Sequence, residues 1–126
     1  MRSGTLEDLV RPGSRIAIGD GVGAPRELST CLTDLAWDMA LRLVLGWVVE
    51  PDVHLDLSAF TSVRALMGGW GLRPGIAGGD VQVVPTRLGS APALLRGKLR
   101  PDLLVTILSR VPKASSCRPR RRGCGR

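Results

Sequence analysis

Two stretches of this chain are apolar almost from end to end: LRLVLGWVV (Leu41–Val49) and LLVTIL (Leu103–Leu108). A strand with one face in water alternates apolar and polar residues, whereas a strand covered on both faces reads as an unbroken apolar run. Both stretches fall short of the roughly 18 residues that a membrane-spanning helix needs. They predict buried strands with helices packed above and below them. The segments between them carry helix and turn signals, so strands alternate with helices. That pattern predicts an α/β fold with a mostly parallel sheet and flanking helices.

The remaining elements follow from local chemistry. Thr5-Leu6-Glu7-Asp8 has an N-cap residue followed by acids, which opens a short helix that Pro12-Gly13 ends. RIAIG (Arg15–Gly19) reads as a strand, and a glycine turn follows it. Pro25 suits the first position of a helix, because its missing N–H has no partner to lose there. Leu28, Cys31/Leu32, Leu35/Ala36 and Met39 recur at helical spacing and give that helix one buried stripe. Val53–Leu57 alternates and predicts a half-exposed strand or an extended connection. Ser62–Met67 predicts a short helix. Gly68–Asp80 holds six glycines in thirteen residues, too many for a regular element. VQVV (Val81–Val84) makes a strand. Ser90-Ala91-Pro92 caps a helix that Gly97 stops, and Pro101-Asp102 leads into the last strand.

The chain of 126 residues has a formal charge of +7, which raises the question of a nucleic-acid partner. The charge is not spread evenly. Residues 1–112 hold 12 Lys and Arg against 11 Asp and Glu, whereas residues 113–126 hold six basic residues and no acid. The basicity therefore belongs to the tail KASSCRPRRRGCGR, which composition alone predicts to be disordered. Five arginines in its last nine residues would attract phosphates, but no aromatic residue is present to stack on bases. A small basic nucleic-acid-binding protein acting through this tail is the alternative reading of function. Cys117 and Cys124 also lie there, with a spacing unlike a zinc motif, and Cys31 reads as a small core residue. Glu7 and Asp8 stand where a signal peptide needs apolar residues, so the expectation is a cytoplasmic protein with no membrane partner.

The turn after the first strand, GDGVGAPREL, nearly spells the dinucleotide fingerprint through Gly19, Gly21 and Ala24. Three features oppose that reading. Asp20 would repel a pyrophosphate, Pro25 removes an N–H that a phosphate would use, and Glu50 is too far along to serve as the ribose acid. The turn is left as a loop for another ligand or a tight turn that needs glycine for its backbone angles.

Two longer blocks bear on that choice. LEDLVRPGSRIAIGDGVGAPREL, with its strand leading through G-x-G-x-P into a helix, is similar to the opening of the acetyl-CoA hydrolase/CoA-transferase family, in particular to 4-hydroxybutyrate CoA-transferase-like members. SVRALMGGWGLRPGIAGGDVQVVPTRLGSAPALLRGKLRPDLLV (Ser62–Val105) resembles the next part, with V-x-x-V-P at Val81–Pro85, P-x-L-L at Pro92–Leu95 and P-D at Pro101-Asp102. The resemblance implies that residues 1–112 are an incomplete N-terminal CoA-transferase-like domain. It also implies acyl-CoA chemistry, in which a glutamate of the second domain attacks the thioester and CoA passes to a carboxylate or to water. No tightly bound cofactor is implied; the CoA thioester is a substrate. The turn would border the acyl-transfer site, with Gly21, Val22, Gly23 and Pro25 as binding residues and the N–H groups of Val22 and Gly23 facing an acyl oxygen. The glutamate domain is not in this sequence, and the family's glycine-rich CoA motifs lie largely beyond Pro112. No catalytic residue is therefore assigned. The break into arginines after Pro112, with 16 Arg against 2 Lys in the chain, reads as a truncated or frameshifted product that is inactive alone.

Other candidates have simpler explanations. His54 lacks a neighbouring nucleophile and reads as a surface histidine, with Asp52 and Asp56 on one solvated face and no metal between them. Glu27 suits the dipole of the following helix. The Gly68–Gly79 segment reads as a mobile active-site loop of a full-length relative. An incomplete sheet should also leave an edge, and the apolar face of Leu41–Val49 or Leu103–Leu108, poorly covered.

Overall fold

The computed structural model describes residues 5–108, and the Arg-rich tail lies outside them. Five strands form one sheet: β1 Arg15–Ile18, β2 Arg42–Leu45, β3 Ser62–Ala65, β4 Gln82–Val83 and β5 Leu103–Val105. Their order is β4-β3-β2-β1-β5 and every pairing is parallel. The helices are α1 Leu6–Leu9, α2 Ser29–Met39, α3 Arg73–Gly78 and α4 Ala91–Arg96. The α/β architecture with a parallel sheet is therefore as the apolar runs require.

Register sorts the side chains into two faces. Ile16 aligns with Leu43 and Leu103, and Leu43 aligns with Val63, so these point to one side. That side packs against Leu32, Leu35 and Ala36 of α2 and against Leu72 and Ile76 around α3. Ile16, Leu32, Leu41 and Leu43 are fully enclosed there, each contributing about 1.5–3 kcal/mol of burial. Ala17 and Val44 point to the other side, where Leu66, Leu99 and the α4 residues Ala91, Leu94 and Leu95 meet them. Helices thus cover both faces. The chain runs outward from β1 to β4, then returns past the whole sheet to place β5 beside β1.

The Pro101-Asp102 pair fixes that return. The Asp102 carboxylate accepts the Arg15 N–H at 2.8 Å, and the Asp102 N–H donates to the Arg15 carbonyl at 2.7 Å. The Arg15 guanidinium reaches the Lys98 carbonyl at 2.9 Å. Entry into β5 is thereby tied to the start of β1.

Several expectations are corrected. Ser62–Met67 begins as strand β3 rather than a helix, because Val63 and Ala65 alternate into the core beside Leu43 and Leu45. The glycine-rich segment contains helix α3, preceded by a single 3-10 turn at Trp70–Leu72. Two of its glycines serve close contact. A Cβ on Gly71 would stand 2.6 Å from the Glu50 carbonyl carbon, and one on Gly69 would collide with the Val48 carbonyl oxygen. Gly79 ends α3 in the left-handed region, at φ +85°. Val53–Leu57 is no strand: Val53 and His54 form a turn.

Coverage of the apolar strands is uneven. Trp47 and Val49, beyond β2, are 47% and 43% exposed, whereas Leu41, Leu43, Val44 and Leu45 are buried, so the β2 part of that run is enclosed. The β5 run is not: Leu104 is 62% exposed and Leu108 85%.

Candidate functional site

In an open parallel sheet, ligands bind outside the carboxyl ends of the strands, where loops to opposite faces diverge. Here β1 is flanked by β2, whose connection runs through α2, and by β5, which is reached across the other face. The glycine turn Gly19–Ala24 leaves β1 at this point. Its backbone is held from both sides. The Gly19 N–H donates to the Val105 carbonyl at 2.9 Å, the Gly21 N–H to the Trp47 carbonyl at 3.2 Å, and the Ile107 N–H to the Gly23 carbonyl at 3.1 Å. Thr106 Oγ1 adds a bond to that same carbonyl at 3.2 Å.

Glycine is needed in this turn for two reasons. Gly21 has φ +52°, in the left-handed region. At Gly19 a Cβ would lie 2.8 Å from the Gly23 carbonyl and 2.5 Å from Thr106 Oγ1. Tight packing and backbone angle act together.

The turn does not feed straight into a helix. Gly21–Gly23 and Arg26–Leu28 are separate 3-10 turns, and α2 begins only at Ser29. Pro25 lies between the two turns at φ −82°, ψ 71°, so it does not occupy the first position of α2. This geometry removes the arrangement that a dinucleotide fingerprint needs, because the α2 N-terminus is not placed next to the glycines. The Gly23 N–H also donates to the Asp20 carbonyl at 2.8 Å, so this amide is already engaged within the turn and does not await an acyl oxygen.

Beyond the strand ends lies a cleft of about 600 Å³. Gly21, Ala24 and Pro25 form one side, Leu45, Gly46 and Val48 the floor, and Leu72, Pro74 and Gly75 the far wall. Of the residues predicted to bind ligand, Gly21 and Pro25 line it, whereas Gly23 is not among its lining residues. The surface is largely aliphatic. Its charged residues are Glu27, Glu50 and Asp52 against one base, Arg26. Arg26 and Glu50 approach to 3.9 Å, with both side chains largely in water, so the pair adds little stability.

The wall between Val48 and Leu57 was not recognisable as part of a site. It is fastened to α2 by three contacts that no local pattern announces. Ser29 Oγ donates to the Asp52 carboxylate. Thr33 Oγ1 donates to the His54 carbonyl at 3.2 Å and accepts the Asp56 N–H at 3.1 Å. His54 is exposed, and its N–H donates to Asp52 at 3.0 Å. Among the described residues no group of three His, Cys, Asp or Glu could hold a metal ion. Cys31 is half-buried against the core, with a free thiol.

A second cavity, of about 290 Å³, lies on the α4 side of the same strand ends. Asp20, Gly46, Leu66, Leu88 and Leu104 are among its walls, and the Asp20 carboxylate lies against the α-carbon of Gly46. The glycine turn thus separates two cavities.

Comparison with known proteins adds the fold alone. No protein-family model matches the chain, and no curated protein matches it. Among solved structures, the chain is similar to RipA from Yersinia pestis, with a TM-score of 0.59 and 21% identity over 77% of this chain. The match spans 26% of RipA, so this chain corresponds to about a quarter of that protein's length. Among the described residues, no helix is long and apolar enough to cross a membrane.

Proposed function

We propose that this chain supplies the acyl-binding part of an acyl-CoA hydrolase/CoA-transferase type of site. The observation that carries the reading is the aliphatic cleft of about 600 Å³ opening beside the glycine turn at the carboxyl end of β1. A cleft of that size is typical of small-molecule sites. Its walls suit an uncharged, apolar group such as the acyl chain of a thioester. The three carboxylates Glu27, Glu50 and Asp52 outnumber Arg26 along it and so disfavour phosphates there, since like charges repel. The sequence resemblance to the acetyl-CoA hydrolase/CoA-transferase family supports the same assignment independently of the cleft.

On this reading Gly21 and Pro25 shape the rim near the reacting carbonyl, and Leu45, Val48 and Leu72 hold the acyl chain. The nucleophilic carboxylate belongs to a domain other than the one formed by residues 5–108, which on this reading binds the thioester and does not attack it. The compartment is the cytoplasm, where acyl-CoA and carboxylate acceptors meet.

Equilibrium binding of butyryl-CoA tests the assignment, with free thiol release followed in parallel. The reading expects saturable binding, weakened at least tenfold by Ala24→Phe, which places a ring at the cleft wall, and no thiol release. Release of CoA by this chain alone would contradict the assignment of the nucleophile to another domain. Absence of saturable binding would remove the acyl site itself.

A further inference from the structure

One exposed pair beside the cleft is left unexplained by an acyl pocket. Trp70 opens the 3-10 turn that leads into α3, and Arg73 is the first residue of that helix. The Arg73 guanidinium carbon stands 4.1 Å from the centre of the Trp70 ring, a cation–π contact. Trp70 is nevertheless 68% exposed. A tryptophan ring has two faces; the guanidinium occupies one and the exposure leaves the other open. Leaving so large an apolar ring in water forgoes its burial energy, and nothing in the core requires it there.

The position of the pair is fixed firmly. Gly71, next to Trp70, donates its N–H to the Val48 carbonyl at 3.1 Å, and Gly69 and Gly71 both press against the Val48–Glu50 backbone. Gly71, Leu72 and Pro74, on either side of Arg73 in sequence, line the cleft itself. The pair therefore stands on the rigid shoulder of the cleft. Arg26, Glu27, Glu50 and Asp52 are the charged residues of the lining, and Arg73 adds a cation at the start of α3.

We propose that Trp70 and Arg73 form a nucleotide-binding platform at the mouth of the cleft, with a purine stacked on the free face of Trp70 and its phosphates beside Arg73. The inference rests on the acyl-CoA reading and deepens it: the uncharged end of the thioester enters the cleft, and the aromatic, anionic end stays outside on the platform. Stacking is tolerant of base identity because every base presents a π-face, so the platform selects a nucleotide and not a particular base. Arg73 supplies a charged, planar donor suited to phosphate oxygens.

Calorimetric titration of the whole chain with two probes tests the proposal: ADP for the platform and S-butyrylpantetheine, the thioester without its nucleotide, for the cleft. Trp70→Ala should weaken ADP binding by roughly 5- to 150-fold, the usual range for loss of one base–aromatic stack. Trp70→Phe should restore most of it, Arg73→Ala should weaken it and reduce its salt dependence, and S-butyrylpantetheine binding should stay within twofold throughout. Trp37→Ala, at another exposed tryptophan, should change neither probe. ADP binding that is unaffected by Trp70→Ala, or absent while S-butyrylpantetheine binds, overturns the platform and leaves the acyl reading standing. Trp70-dependent ADP binding with no S-butyrylpantetheine binding supports the platform and overturns the acyl reading. If neither probe binds, both are overturned.

Discussion

The Ser29 hydroxyl donates to the carboxylate of Asp52, across 23 residues of sequence. Ser29 is 3% exposed and stands at the first position of α2, while Asp52 belongs to the loop that walls the cleft. The bond joins the helix to the wall, and the wall has no strand of its own to hold it.

This pairing predicts unequal effects at its two ends. Asp52→Ala leaves a buried hydroxyl without its acceptor and also frees the His54 N–H, so it should cost about 1–3 kcal/mol. Ser29→Ala leaves a carboxylate that keeps one donor and some access to water, so it should cost less. The double variant should be less destabilised than the sum of the singles, because the two residues share one interaction. Urea unfolding of the four forms measures this, and strictly additive losses would show that the bond contributes nothing.

The wall depends equally on the close approach of the α3 turn. Gly71→Ala would force a methyl group against the Glu50 backbone, which has no rotamer through which to yield. Overpacking of this kind costs about 1–3 kcal/mol. The variant should lower the unfolding midpoint in urea and weaken butyryl-CoA binding together, since both sides of the contact line the cleft. An unchanged midpoint with unchanged binding would mean that the turn yields freely.

Ala40 ends α2 at φ 51°, ψ 49°, in the left-handed region without being glycine. A Cβ in that region costs about 1–2 kcal/mol, and glycine avoids most of it despite a greater loss of chain entropy. Ala40→Gly should therefore stabilise the chain by roughly 1 kcal/mol, read as a higher thermal midpoint.

These local effects show how far the sequence was readable. The strand, glycine turn and helix of residues 15–39 follow from apolar spacing, and the doubly covered β2 follows from an unbroken apolar run. Strand β3 is not legible locally, because SVRALM is short and contains good helix formers; its strand identity comes from pairing with β2, which is a tertiary fact. Helix α3 has no signal in the sequence, because six glycines in thirteen residues argue against a regular element, whereas Gly69 and Gly71 are small so that Val48 and Glu50 can approach. The glycine turn after β1 is legible in the sequence, as are the features that set it apart from a dinucleotide loop, Asp20 and Pro25. The far wall is not, since Ser29–Asp52 and Thr33–His54 depend on contacts more than 20 residues apart. One signal was present in principle: residues just after each parallel strand, such as Gly46 after β2, belong to the ligand edge of such a sheet.

The face of the sheet beside α4 makes a prediction about association. Leu104 lies on it in register with Ala17; Leu88, which lines the same cavity as Leu104, and Leu108 are also exposed. Exposed aliphatic side chains at the end of a sheet favour self-association. Sedimentation should show association that rises with concentration, and Leu104→Glu with Leu108→Glu should shift the chain toward monomer. A monomeric wild-type chain at high concentration would contradict this.

Titration of the whole chain with butyryl-CoA tests the acyl cleft most directly. The prediction is one saturable site per chain, weakened at least tenfold by Ala24→Phe, with thermal stability changed little by that substitution. Binding of equal strength in Ala24→Phe would place the thioester elsewhere and contradict the assignment of the cleft.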